Sequence, residues 1–343
     1  MKSLKIHGPL DLRIDDYPVD SLGPNQVEIK IAIGGICGTD LHYYKHGGFG
    51  QIKLREPMIL GHEVSGFISK IGSNVKNLSI GQLVSISPSR PCNKCDFCLN
   101  GNQIQCINMK FYGSAMPFPH IQGAFREILI VEDYQCVPAD GLSPEEAAMA
   151  EPLAVCLHAV KQAGKIFGQK ILITGSGPIG TLCVAAARRA GAEEIIVTDI
   201  SKNALMFSNS VGADKVIHVL EEHDELKSYQ FNKGYFDIAI ECSGSEKGIS
   251  DSINCLKPKG TLIQLGLGGD VLIPLVSVTT KELNLRGSFR FHLEFELAVN
   301  MMKKKLINVN PLITHKLDFK SAKEAFELAM NNEEQSMKVQ LSF

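Results

Sequence analysis

Residues 170–199, KILITGSGPIGTLCVAAARRAGAEEIIVTD, decide the fold of this chain of 343 residues. The apolar run 170–174 predicts a buried strand, the segment after the glycines predicts a helix, and 194–199 predicts a second strand that ends in Asp199. A G-x-G-x-x-G pattern is a weak signal when it stands alone. Here the strand before it, the helix after it and an acidic residue about 20 positions further on complete a dinucleotide-binding fingerprint.

The glycine loop predicts how the dinucleotide is held. Gly175 permits the tight turn, Gly177 lets the backbone approach a pyrophosphate, and Gly180 permits close packing of the helix on the strand. The N-terminus of the helix presents its amides and a partial positive charge to the phosphates. The residues expected to bind the cofactor are Gly175, Gly177, Pro178, Ile179, Gly180 and Asp199.

Asp199 indicates which dinucleotide binds. Its carboxylate is placed to accept hydrogen bonds from both ribose hydroxyls and to repel a 2′-phosphate, so NAD is favoured over NADP. Lys202 lies close enough in sequence to help hold a 2′-phosphate, which leaves some use of NADP open. The alternative is a glycine turn in an α/β domain that binds no nucleotide, with Asp199 solvated.

The pattern of the fingerprint continues along the chain. Short runs rich in Ile and Val recur at 215–219, 236–242 and 260–266, and stretches of helical length lie at 177–190, 201–210 and 246–256. Apolar strands that alternate with helices predict a doubly wound parallel sheet covered on both faces. We place this Rossmann dinucleotide-binding domain at 153–288.

The flanking segments predict a second domain of a different kind. In the first 152 residues, short extended runs are bounded by Gly and Pro, and Val27, Ile29 and Ile31 alternate with more polar residues, which is typical of half-buried strands. Residues 289–343 are expected to form helices and a final strand that pack back on this first domain. The fold class is therefore α/β with two domains: a β-rich domain of 1–152 and 289–343, and the parallel-sheet domain.

Composition and charge limit the functions to consider. Lys and Arg number 35 and Asp and Glu number 37, a net charge of −2, which argues against a nucleic-acid-binding surface or a polybasic membrane anchor. No apolar run approaches the ~18 residues of a membrane span, and the first residues lack the apolar core of a secretory signal. Ten cysteines without such a signal indicate metal or thiol chemistry in a reducing compartment, so we expect a cytoplasmic protein.

Four cysteines form a compact cluster in CNKCDFCLNGNQIQC, residues 92–106. The spacing of Cys92, Cys95, Cys98 and Cys106 suits four thiolates around a tetrahedral zinc with no open position, which is a structural site. An iron–sulfur cluster usually has different spacing. A zinc ribbon that binds nucleic acid is expected to have a basic surround, which this segment lacks.

A second set of metal-ligating residue types is scattered. Three Gly- or Pro-containing segments that are far apart in the chain contain Cys37, the adjacent pair His62 and Glu63, and Glu151. Taken singly, each also fits an ordinary buried thiol, a hydrogen-bonded histidine or a solvated carboxylate. Spacing in the sequence does not show whether they converge.

Five segments together resemble the zinc-containing medium-chain dehydrogenase family. They are GGICGTDLHYY (34–44), GHEVSG (61–66), the four-cysteine segment, AEPLAV (150–155) and GSGPIG (175–180). They occur in the family's order, span nearly the whole chain and are similar to the polyol, sorbitol dehydrogenase-like branch. FYGSAMPFPHIQGAF (111–125) and LRGSFRF (285–291) resemble members of that branch that act on a sugar acid.

The resemblance implies a fold, two zinc ions per chain and a ligand set. The β-rich domain is expected to be GroES-like. Cys37 and His62 match catalytic zinc ligands, and Glu63 matches a carboxylate that binds zinc directly or through water. Glu151 stands where many other members have a cysteine ligand, so which of the two glutamates binds zinc directly stays open. Asp40 matches a position that orients His62 through its other ring nitrogen.

The resemblance also implies the reaction. A secondary alcohol acidified by zinc would give a hydride to the nicotinamide of NAD. Thr39 and His42 match the hydroxyl and imidazole of the proton relay, and a water on Glu151 is the alternative relay. Tyr43, Tyr112 and Arg290 match substrate-binding positions, and the Arg290 guanidinium suits a carboxylate or a hydroxyl. Cofactor or interdomain contact is the alternative for Arg290.

The predicted function is thus NAD-dependent oxidation of a sugar acid, with no nucleic acid or membrane partner. A neutral polyol is the alternative substrate in the same chemistry. A protein that binds zinc and nucleotide without catalysis is a remote alternative, and a nucleic-acid-binding zinc module is disfavoured by charge. A homo-oligomer, dimer or tetramer, is expected from the resemblance.

Overall fold

A computed structural model describes residues 1–331 and 336–343, which form two compact units. Unit 1 comprises Met1–Glu151, Phe295–Lys305 and Ile313–Phe343, and unit 2 comprises Pro152–Glu294 and Leu306–Leu312. Residues 289–294 and 306–312 therefore group with unit 2, whereas the sequence had placed all of 289–343 with the first domain. No described helix has the length and apolar character that crossing a bilayer requires.

Unit 2 is built on a parallel sheet of six strands in the order β15-β14-β13-β16-β17-β18. Its strands are β13 Lys170–Thr174, β14 Glu194–Asp199, β15 Lys215–His218, β16 Phe236–Glu241, β17 Leu256–Gln264 and β18 Asn284–Gly287. Its helices are α5 Pro178–Arg189, α6 Lys202–Ser210, α7 His223–Ser228, α8 Glu246–Cys255 and α9 Leu275–Thr280. The strand order reverses between β13 and β16, the place where doubly wound sheets bind dinucleotides.

Apolar residues on both faces explain the central strands of unit 2. Ile171, Leu172 and Ile173 in β13 have no exposed surface, because helices cover the sheet on each side. The α/β fold with a Rossmann-like sheet is confirmed. The sixth strand, β18, was not predicted from the sequence, and all four of its residues are exposed.

Unit 1 contains a sheet of seven strands with order β12-β8-β7-β3-β20-β19 and with β11 on β3. The strands of unit 1 are β1 Lys2–Gly8, β2 Asp11–Asp16, β3 Gln26–Gly35, β4 Gly48–Phe49, β5 Ile52–Lys53, β6 Met58–Ile59, β7 Glu63–Ile71, β8 Leu83–Ile86, β9 Ser89–Arg90, β10 Lys110–Phe111, β11 Ile128–Glu132, β12 Cys136–Pro138, β19 Ile313–Asp318 and β20 Lys338–Ser342. Its helices are α1 Gly38–His46, α2 Asp96–Leu99, α3 Pro144–Ala148 and α11 Ala322–Met330; α4 Ala150–Ala163 and α10 Glu294–Lys303 cross the boundary between the units.

The register of this sheet brings distant parts of the chain together. β3 pairs with β7 so that Gly35 lies opposite Glu63, and it pairs with β20 so that Gly35 also lies opposite Gln340. Three sequence segments therefore meet at the end of β3. The predicted final strand is present as β20, whereas β19 was not predicted.

Candidate active site and metal sites

Two loops of unit 1 carry the predicted zinc ligands Cys37, His62 and Glu63. Cys37 follows β3 and is the N-cap of α1, and His62 and Glu63 lie where β7 begins. The pairing of β3 with β7 brings these loops side by side. The three side chains offer one ligand atom each, and these atoms all lie within 4.8 Å of one another. The convergence that the sequence left open is thus present.

Gly35 makes room for one of these side chains. A Cβ atom at this position would lie 2.3 Å from Oε2 of Glu63, so any larger residue displaces the carboxylate. Glu63 itself is buried. Gly35, the last residue of β3, therefore has a packing role beside this carboxylate.

Lys338 is a residue of this site that sequence reasoning missed. Its ammonium group donates to Oε1 of Glu63 at 2.9 Å, to Oε2 at 2.8 Å and to the carbonyl of Ile36 at 3.2 Å. The side chains of Lys338 and Glu63 are 3% and 1% exposed. A lysine that opens the final strand beside the apolar Val339 and Leu341 was the available signal, because buried lysines need a partner.

Asp40 ties the two ligand loops to each other. One carboxylate oxygen accepts from the backbone N–H of Cys37 and the other from that of Gly61, both at 3.1 Å. The distance from Asp40 to Nδ1 of His62 is 3.9 Å, which is too long for a hydrogen bond. The expected orienting bond to His62 is thus not made, and His62 Nδ1 is buried without a partner among the described residues.

Glu151 lies in the first turn of α4, and Pro152 occupies the next position of that turn. Its side chain is buried, and it stands outside the set of ligand atoms that lie within 4.8 Å of one another. Burial raises the pKa of Glu151 to about 7; the charge of His62 opposes this rise, and that of Glu63 adds to it. Glu151 therefore belongs to the same charged neighbourhood, where either carboxylate is available to a metal.

The donor set fits zinc. A thiolate, an imidazole and carboxylates are zinc ligands, and three protein ligands leave a position for substrate, as catalytic sites require. The unpartnered His62 Nδ1 is a buried nitrogen whose hydrogen bonding the protein alone does not complete. Among the described residues, the buried carboxylates Asp40, Glu63 and Glu151 face one buried lysine, Lys338, and a divalent cation would offset the remaining negative charge.

The proposed proton relay lies on α1. Thr39 is half-buried, and His42 is exposed, with its ring centroid 6.0 Å from that of Phe49. Partial burial lowers the pKa of His42, and the charges of His46 and Lys45 lower it further. The imidazole is therefore neutral, and able to accept a proton, at a lower pH than an ordinary histidine.

The four cysteines of residues 92–106 surround one point. Sγ of Cys95 lies 3.5 Å from that of Cys98 and 4.0 Å from that of Cys106, and all four sulfurs lie within 4.8 Å of one another. Zn–S bonds of about 2.3 Å in a tetrahedron place sulfurs about 3.8 Å apart, so the cluster has the dimensions of a zinc site. The described cysteines form no disulfide.

The backbone of this lobe prepares part of the cluster for a metal. A hydrogen bond from the backbone N–H of Lys94, with smaller contributions from nearby groups, lowers the pKa of Cys92 to about 6, and backbone N–H groups also lower that of Cys95. Burial raises the pKa of Cys98 to about 12, and the neighbouring thiols add to the rise. The cluster is thus not a set of four free thiolates, and a bound cation would supply the charge that deprotonates the rest.

The dinucleotide loop has the geometry that the fingerprint predicts. Gly175 has φ +90°, a conformation that favours glycine, and a Cβ on Gly180 would lie 1.8 Å from the carbonyl oxygen of Gly175. Gly177 is the N-cap of α5. Beyond its chain neighbours, no described atom lies within 4 Å of a Cβ built there, which leaves space for a phosphate. Pro178 and Ile179 begin the helix.

Asp199 is already held by the backbone around the loop. Its two oxygens accept from the N–H of Ser176 at 2.5 Å and of Ser201 at 2.7 Å. Lys202, the residue that left NADP open, pairs with Glu221 at 2.6 Å on the surface. A 2′-phosphate would have to compete with that carboxylate for the ammonium group.

Glu241 is a second residue that sequence reasoning missed, at the end of β16. Its buried carboxylate accepts from the N–H groups of Ser243 and Gly244 at 2.9 Å each and from the side-chain amide of Gln264 at 2.7 Å. It thereby joins the carboxyl ends of the adjacent strands β16 and β17, beside the point where the strand order reverses. The glycines nearby, Gly244 and Gly266, line a pocket in unit 2 at the same strand ends.

The predicted substrate residues differ in their placement. Tyr43 is buried, and its hydroxyl accepts from the N–H of Ala115 at 3.0 Å. Tyr112 is also buried, with the Arg90 guanidinium 4.8 Å from its ring centroid. Arg290, in unit 2, is half-buried with φ +56°. Substrate contact by these three residues stays a prediction.

His120, the histidine of segment 111–125, has a structural role in the loops around it. Its Nε2 accepts from the N–H of Arg55 at 2.9 Å, and its Nδ1 lies 2.9 Å from the carbonyl of Pro117. Both ring nitrogens are therefore occupied by backbone groups, with the proton on Nδ1. The ring fixes one loop to another and has no polar atom left for a ligand.

Two sequence profiles match the chain. Residues 23–141 match the profile described as alcohol dehydrogenase GroES-like domain, and residues 178–304 match that described as zinc-binding dehydrogenase. The chain is 40% identical to L-idonate 5-dehydrogenase (NAD(P)(+)) of Escherichia coli K12, over 100% of this chain and 98% of that protein. It is 37% identical to sorbitol dehydrogenase of Bos taurus, over 95% of this chain and 92% of that protein.

Solved structures agree with these matches. The crystal structure of L-idonate 5-dehydrogenase from Escherichia coli K-12 superposes with a TM-score of 0.95 and 38% identity, over 100% of this chain and 98% of that chain. Galactitol-1-phosphate dehydrogenase from the same species superposes with a TM-score of 0.89 and 27% identity, over 100% of this chain and 100% of that chain.

Proposed function

The chain belongs to the zinc-binding alcohol dehydrogenase family, and we propose that it oxidises L-idonate at C5 to 5-dehydro-D-gluconate with NAD and catalyses the reverse reduction. The observation that carries the proposal is the convergence of Cys37, His62 and Glu63. The substrate is supported by full-length similarity to an L-idonate 5-dehydrogenase and by the two segments 111–125 and 285–291.

The residues of unit 1 are assigned two roles in the reaction, metal binding and proton transfer. When bound, zinc supplies the Lewis acid that makes the alcohol acidic, and NAD supplies the hydride acceptor. Cys37 and His62 hold the metal, with Glu63 or Glu151 as a further ligand. Thr39 passes the substrate proton to His42, which releases it to solvent because its imidazole is exposed.

NAD is the preferred dinucleotide in this proposal. The Asp199 carboxylate would bind the ribose hydroxyls of a bound dinucleotide, and its charge would oppose the 2′-phosphate of NADP. Lys202 gives NADP only weak support, since its ammonium group is engaged by Glu221. The four-cysteine lobe holds a second zinc with a structural role.

Recognition of the substrate carboxylate is assigned to Arg290, and Tyr43 and Tyr112 are retained as further candidate substrate contacts. A guanidinium group binds a carboxylate through two parallel hydrogen bonds, which a neutral polyol does not offer. Arg290 is thus the residue expected to separate a sugar acid from a polyol.

We also propose a cytoplasmic homo-oligomer, a dimer or tetramer, with neither nucleic acid nor membrane as partner. Strand β18 supports association, because it lies at the edge of the sheet with four exposed residues, and helix α9, which precedes it in the chain, exposes Leu275 and Val276 to 63% and 78%. An exposed edge beside apolar side chains is usually covered by a partner.

The experiment follows NADH absorbance with L-idonate, L-iditol and D-sorbitol, and NADH loss with 5-dehydro-D-gluconate. We expect kcat/KM for the acid to exceed that for either polyol, and Arg290→Met to remove most of that preference. Equal or better turnover of the polyols would overturn the substrate and leave the reaction class standing.

A neutral polyol dehydrogenase is the second candidate. It is supported by 37% identity to a sorbitol dehydrogenase over most of both chains. In that case Arg290→Met would lower kcat/KM for acid and polyol alike, because the guanidinium would bind a hydroxyl common to both.

A further inference from the structure

The short segment that joins β18 to α10 holds Arg290 in an unusual conformation. Arg290 has φ +56°, in the left-handed region that residues with a Cβ rarely adopt. Its guanidinium lies 4.7 Å from the ring centroid of Phe289, and Phe291 on its other side is buried. A backbone of this kind persists only where the surroundings hold it in place.

One anchor precedes Arg290. The N–H of Ser288 donates to the carbonyl of Gln264 at 2.9 Å, so the segment leaves β18 still bound to the neighbouring strand β17. Ser288 is buried, and its position is fixed by the sheet.

The second anchor follows Arg290 and depends on one side chain. Oε2 of Glu294 accepts from the backbone N–H of His292 at 3.0 Å, which closes the end of the segment. Oε1 of Glu294 accepts from Nζ of Lys161 at 2.9 Å and lies 3.4 Å from Nδ1 of His158, both on α4 within unit 2. The carboxylate thus connects the segment to a different helix.

The carboxylate of Glu294 is built into the fold. Its side chain is 5% exposed, and that of His158 is 10% exposed. Burial acts to raise the pKa of Glu294, but the neighbouring His158, the hydrogen bond from Lys161 and the backbone N–H of His292 outweigh it and hold the pKa well below its ordinary value. A buried charge paired in this way keeps its geometry, because leaving it unpaired is unfavourable.

We propose that Glu294 is a positioning residue for Arg290: it fixes the segment that carries the guanidinium and so sets the affinity for anionic substrates. The inference rests on the proposed function, in which Arg290 binds the substrate carboxylate. Glu294 is assigned no direct contact with substrate or cofactor. It acts through the N–H of His292, two residues after Arg290.

The test compares Glu294→Ala with Glu294→Gln in the full-length, zinc-loaded enzyme. Gln keeps an acceptor for His292 and loses the charge that binds Lys161, whereas Ala loses both. Since a hydrogen bond to a charged group is commonly worth about a factor of ten in affinity, we expect Glu294→Ala to raise KM for L-idonate roughly tenfold. The changes in kcat and in KM for L-iditol should be less than about threefold, and Glu294→Gln should lie between wild type and Ala.

Two further measurements separate positioning from a loss of stability. In an Arg290→Met background, Glu294→Ala should change KM for L-idonate little, because the group that it positions is gone. Hydrogen exchange of peptides that contain residues 288–293 should become faster in Glu294→Ala without any substrate. Glu296→Gln, an exposed glutamate on the same helix, is the matched control and should leave both readouts unchanged.

The outcomes distinguish the inference from the function on which it rests. If the wild type does not prefer L-idonate to the polyols, L-idonate is rejected as the substrate. If it does, but Glu294→Ala raises KM equally with and without Arg290, or exchange of 288–293 is unchanged, the positioning role is overturned. If Glu294→Ala does not fold, Glu294→Gln carries the same comparison in both backgrounds.

Discussion

Removal of the Lys338 ammonium group should destabilise unit 1 far more than removal of an exposed lysine. Lys338→Met leaves Glu63, which is 1% exposed, without the group that binds both of its oxygens at 2.9 and 2.8 Å. Breaking a buried pair by removing one partner costs about 3–5 kcal/mol, because the remaining charge stays buried and uncompensated. We expect the free energy of unfolding of the metal-free protein to fall by about that amount, and to fall less when zinc is bound.

The assay is urea unfolding followed by circular dichroism, since the chain contains no tryptophan. Lys2→Met is the control, because Lys2 pairs with Asp16 at 2.9 Å with both side chains exposed, and such a pair contributes little to stability. Replacing both partners, Lys338→Met with Glu63→Leu, should recover much of the loss. The reasoning is refuted if Lys338→Met destabilises the metal-free protein no more than Lys2→Met does.

Three further outcomes follow from the four-cysteine site, the relay and the glycine loop. Cys98→Ser should lower zinc from two ions per chain to one and lower the melting temperature, measured by elemental analysis and calorimetry; retention of two ions would contradict the structural site. Oxidation should slow as the pH falls through the lowered pKa of His42, because a protonated imidazole accepts no proton, and His42→Gln should remove that limb from the pH–rate profile; an unchanged profile would reject the relay. Gly177→Val should fold normally yet bind NADH weakly, whereas Gly180→Val should destabilise unit 2, because its side chain meets the carbonyl of Gly175; NADH titration and thermal melting separate the two, and normal NADH binding by Gly177→Val would count against a phosphate at that position.

The parallel sheet of unit 2 was predictable because its signals are local. Strand β13 and helix α5 begin within a few residues of the predicted positions, since an apolar run, a glycine turn and an Ala-rich stretch are contiguous in the chain. Strands β18 and β19 were missed for a related reason. All four residues of β18 are exposed, and β19 is only half-buried, so neither has the apolar pattern by which strands are recognised.

The site near Cys37 was predictable only in part. The residue types of Cys37, His62 and Glu63 were identified through family resemblance, and their approach to within 4.8 Å follows from the pairing of β3 with β7. The bond expected between Asp40 and His62 is not made, because Asp40 instead binds two backbone N–H groups. Which donor a carboxylate takes depends on distances of less than 1 Å that no sequence pattern specifies.

By itself, the sequence determined the dinucleotide-binding fold and the four-cysteine lobe, because each depends on residues that are neighbours along the chain. Only the tertiary structure decided that Lys338 binds Glu63 across 275 positions and that Glu294 binds Lys161 across 133. In the sequence, lysine and glutamate are typical surface residues. Burial reverses that expectation, because a charge removed from water requires a partner, and only the packing of distant segments brings that partner within reach.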